Sequence, residues 1–133
     1  GAGMLNGMLK GFIDLVFEYQ GRFYVCDYKS NLLGSSAADY LEPVMSQLML
    51  EKRYELQAVL YCLALHRLLK QRLPGYSYQQ HLGGAVHWFI RGYQAPSQGL
   101  VHMLPPKELI EQLDQLFRTG STEYITEQAG GEL

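Results

Sequence analysis

The chain has 133 residues, 47% of them apolar, and a formal charge of -2. That length suits a single domain with a proper core, and the near-balanced charge gives no polyelectrolyte signature. No apolar run of about 18 residues and no basic-then-apolar leader occurs, so neither a membrane span nor a secretion signal is expected.

Cys26 and Cys62 are the only cysteines. They exclude a four-cysteine iron-sulfur cluster built from this chain alone, and they fit a reduced cytosolic setting with both thiols as small core residues. Charge is unevenly spread: residues 1–104 carry nine basic and seven acidic groups, residues 105–133 two and six. An anionic partner should therefore meet the first part.

In chain order, Met4 to Lys10 leads into GFIDLVFEYQGRFYVCDYKSN, Gly11 to Asn31. Two runs rich in β-branched and aromatic residues flank Gln20-Gly21, a pair suited to a two-residue hairpin turn. With those two as the loop, Tyr19 pairs with Arg22 and Asp14 faces Asp27. Ser30 to Ser36 reads as a loop leaving the strand end, a common ligand-binding position. From Asp39 the pattern turns helical, with Pro43 in the first turn and Val44, Met45, Leu48 and Met49 as an apolar stripe.

Helix resumes after a kink from about Arg53 to Leu73, with Leu56, Val59, Leu60, Leu63 and Leu68 as its apolar face and Pro74-Gly75 as its stop. Lys52, Arg53, Arg67, Lys70 and Arg72 give this segment a basic cluster, which on its own reads as a solvated face. Pro74 to Gly84 is turn-rich, Ala85 to Arg91 reads as a buried strand, and Gly99 to Leu104 as a short further strand. Leu109, Ile110, Leu113, Leu116 and Phe117 mark a last amphipathic helix, and the polar stretch beyond Gly120 reads as a frayed tail over about residues 119–133.

The hairpin also carries the chemistry. Two carboxylates facing across an antiparallel pair lie about 5 Å apart at Cβ and repel, so a cation between them is required. Lys29, two residues beyond Asp27, leaves the same face. A D-x-K triplet alone arises by chance in about one chain of this size in two or three, and its ordinary reading is a surface salt bridge. An aspartate in paired register within an apolar strand points instead to a hard divalent cation with a charge stabiliser beside it.

Gln57 and Tyr61, four apart, project side by side from the helix; alone they read as a surface pair packed on a strand. His66, His81, His87 and His102 share no ligand spacing and are structural or exposed unless the fold brings one to the hairpin.

G-F-I-D-L (Gly11 to Leu15), D-Y-K-S-N (Asp27 to Asn31) and Q-x-x-x-Y (Gln57 to Tyr61), in this order over most of residues 7–118, resemble the RecB-type branch of the PD-(D/E)XK nuclease superfamily. The resemblance implies an α/β fold, a central mixed β-sheet with flanking helices and a restriction-endonuclease-like core. It also implies Mg2+ (replaceable in binding by Mn2+ or Ca2+), with Asp14, Asp27 and the Tyr28 carbonyl as ligands. Lys29 would orient or activate the attacking water, while Gln57 and Tyr61 would support the site or contact DNA together with Ser30, Asn31 and Arg53.

By the same resemblance the activity is exodeoxyribonucleolytic, in a bacterial cytoplasmic enzyme of DNA end processing and recombinational repair. The partners it implies are DNA, RecC- and RecD-type subunits and a RecA-type recombinase. A non-cleaving module that docks DNA or protein is the alternative. Family members carry a helix before the first catalytic strand that supplies a further Glu or His ligand. The 13 residues before Asp14 hold neither, so residues 1–133 are expected to be one nuclease-type domain cut from a larger helicase-nuclease.

Overall fold

The computed structural model describes residues 13–30 and 33–119. Its first two strands, β1 (Leu15–Tyr19) and β2 (Arg22–Lys29), are antiparallel and in the register counted from the turn, Leu15 opposite Cys26 through Tyr19 opposite Arg22. Gln20 and Gly21 both adopt positive φ, 51° and 80°, the turn geometry whose twist matches that of the flanking strands. The expected start of the hairpin at Gly11 lies outside the described residues.

A crossover of three helices follows: α1 (Glu42–Glu51), α2 (Tyr54–Arg72) and the single turn α3 (Tyr78–His81). Pro43 sits in the first turn of α1, where its missing N–H costs no hydrogen bond. Arg53, left-handed at φ 56°, makes the expected kink between α1 and α2. The crossover delivers β3 (Leu82–Phe89) parallel to β2, and β4 (Leu100–Met103) returns antiparallel to it. The strands lie in the order β1-β2-β3-β4, a mixed sheet, and α4 (Lys107–Thr119) closes the chain's described part.

One face of the sheet holds the main core. Val25, Leu82 and Ala85 meet Ala58, Tyr61, Cys62, Leu65 and Leu69 of α2 and Ile110 of α4. A second cluster forms around Met45, Met49 and Phe89. Both cysteines are buried free thiols, and burial foremost pushes Cys62 up to about 12. On the opposite face Leu15, Phe17, Tyr28, Trp88 and Leu100 line an open apolar hollow of about 580 Å³. No described helix is long and apolar enough to cross a membrane.

Four expectations need correction. The third strand begins at Leu82 and ends at Phe89, not at Ala85 and Arg91; Ile90–Gly92 is a 3-10 turn and Arg91 is exposed. Gly83-Gly84 reads as a turn in sequence but serves close packing, since a side chain at Gly83 would strike the Tyr24 ring and one at Gly84 the Met103 carbonyl. Leu56 is 54% exposed and Val44 is exposed too, because the helices turn Ala58, Tyr61 and Cys62, and Met45 and Met49, to the core. Lastly, Arg67 departs from the solvated basic face: it is half-buried, 3.5 Å from the carboxylate of Asp114 in α4, which the exposed Lys70 also reaches at 3.0 Å.

Candidate active site

Asp27 and Lys29 occupy alternate positions near the end of β2 and so leave its helix-covered face together. Each is only 8% exposed, and Lys29 Nζ lies 2.6 Å from Asp27 Oδ2. Gln57, from the first turns of α2, accepts a hydrogen bond from the same ammonium at 2.9 Å. The ring of Tyr54 lies across it, with Nζ 3.6 Å from the centroid.

Asp14 departs slightly from the expected facing register. The ladder ends at Leu15 and Cys26, and the Asp14 N–H instead donates to the Cys26 carbonyl at 3.2 Å. This turns the exposed carboxylate along β2, where Oδ2 accepts the Tyr28 N–H at 2.8 Å. The two aspartates thus bracket the backbone of Tyr28, whose side chain goes to the opposite face beside Trp88.

The fold brings one histidine to the hairpin. His87, wholly buried on β3, stands opposite Asp27 in the parallel register, with Nδ1 3.5 Å from Oδ2. Burial pushes the Asp27 carboxyl up, but contacts from His87 and Lys29 and the Lys29 charge outweigh it and hold the group below the usual 3.8. These are close ionic contacts and not well-directed hydrogen bonds: Oδ2 and both imidazole nitrogens are buried without an aligned partner. The other histidines serve local structure: His66 meets Tyr76, His81 the Ser77 N–H and His102 the Gly83 carbonyl.

Tyr61 is buried one turn beyond Gln57. Its phenol is pushed up to about 12, by burial first and then by the negative charges of Asp27 and Asp14. The same causes raise Cys26 to about 11. The two carboxylates are thus felt on both faces of the sheet, at Tyr61 on the helix-covered side and at Cys26 on the opposite one. Ser30 and Arg53 are exposed and flank it: the Ser30 carbonyl accepts from Arg91 Nε at 3.0 Å, and Arg53 immediately precedes Tyr54. Asn31 lies outside the described residues.

Sequence reasoning missed Tyr54 and His87. Tyr54 could have been found, because it stands three residues before Gln57 and seven before Tyr61, on the same helix face. His87 carried no such signal, since its place depends on a parallel register between strands 60 residues apart.

As a metal centre the site offers hard oxygen donors, the Asp14 and Asp27 carboxylates and the backbone carbonyl of Tyr28, and a buried Asp27 oxygen lacking an aligned partner. That set fits a hard divalent cation that keeps several waters. Among the described residues no three His, Cys, Asp or Glu side chains converge, so these donors form part of a shell.

A mixed four-stranded sheet carrying D-Y-K on a central strand, with a supporting Gln from the crossover helix, defines a nuclease core of known type. The chain belongs to the PD-(D/E)XK nuclease superfamily, whose model matches residues 3–132, and whose members generally depend on a divalent metal. Among curated proteins it is similar to RecBCD enzyme subunit RecB of Escherichia coli K12, 46% identical over 115 residues that make up 85% of this chain and 10% of that protein. The same subunit of Haemophilus influenzae is 43% identical over 85% of this chain and 9% of its own length, and that of Mycobacterium tuberculosis H37Rv 38% identical over 87% and 11%. The chain thus spans about a tenth of the length of these relatives.

Proposed function

We propose that this chain is the DNA-cleaving domain of a RecBCD-type end-processing enzyme, hydrolysing phosphodiester bonds exonucleolytically with Mg2+. The observation that carries the reading is the buried Asp27–Lys29 pair, 2.6 Å apart, beside a second carboxylate fixed to the same strand. In this reading Asp14, Asp27 and the Tyr28 carbonyl hold the cation. When bound, the metal supplies Lewis-acid charge to the phosphate and lowers the pKa of a bound water.

The chain's own residues do the rest. Asp27 orients the Lys29 ammonium, and Gln57 holds it from the helix side, so that a cation stands ready to orient the attacking water and offset charge on the phosphate. Tyr61 keeps a neutral phenol within the field of both carboxylates, packed in the core beside the site. Ser30 and Arg53 border the entrance, and in this reading they contact the DNA backbone together with Asn31.

The similarity to RecBCD subunits supports partners as well: DNA as substrate, RecC- and RecD-type chains as neighbours, and a RecA-type recombinase as a docking partner, in the bacterial cytoplasm. The test is cleavage of linear DNA by the intact parent protein with Mg2+. Asp27→Ala should abolish it, because the change removes a metal ligand and leaves Lys29 buried without its counter-ion. Undiminished cleavage would falsify the reading.

A further inference from the structure

We infer that Tyr54 is a positioning residue for Lys29, holding the ammonium through the face of its ring; this rests on the nuclease reading above. Lysine is a point charge on a flexible four-carbon stem, and hydrogen bonds alone do not fix it well. Here Lys29 Nζ meets Asp27 Oδ2 at 2.6 Å and Gln57 Oε1 at 2.9 Å, and its remaining side faces the Tyr54 ring, 3.6 Å from the centroid. That distance lies well inside the range in which an aromatic quadrupole attracts a cation, and the pairing is strongest where water is excluded. Lys29 is 8% exposed, so it meets that condition.

The ring is itself fixed. Tyr54 opens α2 directly after the left-handed Arg53, a backbone state unfavourable for a residue with a side chain, which sets the direction in which the first turn of the helix presents its side chains. It also lies nearly parallel to the imidazole of His87, centroids 5.8 Å apart and planes 15° apart. His87 in turn lies 3.5 Å from the Asp27 carboxylate. Asp27, Lys29, Tyr54 and His87 therefore close a ring of contacts in which each member restricts the next. Without the aromatic face, the ammonium would retain its charge but lose one of three restraints.

Two measurements test this. The first is NMR of the chain itself, without metal or DNA. Ring current should move the Lys29 ε-methylene protons upfield in the parent sequence and in Tyr54→Phe, and the shift should vanish in Tyr54→Leu. An unshifted ε-methylene in the parent sequence overturns the inference. The second is steady-state cleavage by the parent protein. Tyr54→Leu should lower kcat about tenfold, the scale of a desolvated cation–π contact, with KM for DNA and the half-saturating Mg2+ unchanged, while Tyr54→Phe stays near wild type. Wild-type kcat in Tyr54→Leu, or an equal loss in Tyr54→Phe, overturns it as well. Failure of the Asp27→Ala test would remove the nuclease reading and leave the NMR result to decide the geometry.

Discussion

The imidazole of His66 sits where α2 meets α4, its Nδ1 2.6 Å from the Tyr76 hydroxyl and its Nε2 3.9 Å from Asp114 Oδ2. Burial pulls its pKa below the ordinary 6.5; Asp114 and Glu111 oppose this, and Lys70 and Arg67 reinforce it. The unfolded chain thus binds a proton that the folded one resists. Stability from the neutral ring is complete above about pH 6.5 and is lost as pH falls through the lower folded pKa. Urea unfolding at stepped pH checks the sign: from neutral to mildly acid pH the wild type should lose more stability than His66→Gln. Equal losses would mean that the ring carries no such linkage.

At the scale of elements, α2 and α4 are joined by charge as well as by Ile110. Asp114 is 3% exposed, and around its carboxylate stand Arg67 at 3.5 Å, Lys70 at 3.0 Å and Arg118 at 3.8 Å. Removing the one anion leaves these cations facing each other, and breaking a buried pair from one side costs about 3–5 kcal/mol. Asp114→Ala should lose about 2 kcal/mol in chemical denaturation, short of the buried-pair figure because Lys70 and Arg118 are exposed to water; a loss below about 1 kcal/mol would show the cluster to be as weak as a surface pair. None of this could be read from the sequence, because Lys70 and Asp114 are 44 residues apart. The hairpin could, because Gln20-Gly21 sets its register locally and the side-chain period of two then places Asp27 and Lys29 on one face. Helical spacing put Gln57 and Tyr61 side by side, but alone they read as a surface pair; their tie to the hairpin came from the three-motif resemblance. His87 was not legible, since the Asp27–His87 pairing needs a whole crossover to form first, and Gly83-Gly84 looked like a turn because close packing by glycine leaves the same mark as a bend.

For the molecule as a whole, Asp27 with Lys29 and His87 lie toward the C-terminal ends of parallel strands β2 and β3, the side of an open α/β sheet where ligands usually bind. With a net charge of -2 the chain has no general attraction for a polyanion, so under the proposed nuclease reading affinity for DNA would come from the few cations near that end. Arg53 is the best placed, exposed at the α1–α2 joint beside Tyr54. It also stands at φ 56°, which permits a clean test. In Arg53→Gly, relief of the left-handed strain offsets the extra entropy of glycine in the unfolded chain, so stability should hold within about 1 kcal/mol. The charge is lost all the same. In titrations of labelled duplex DNA at several salt concentrations, affinity should fall for every sequence and the slope of log affinity against log salt should shrink by about one. An unchanged slope with unchanged stability would mean that Arg53 meets no phosphate, and that the strand reaches Lys29 from the Arg91 side of the sheet.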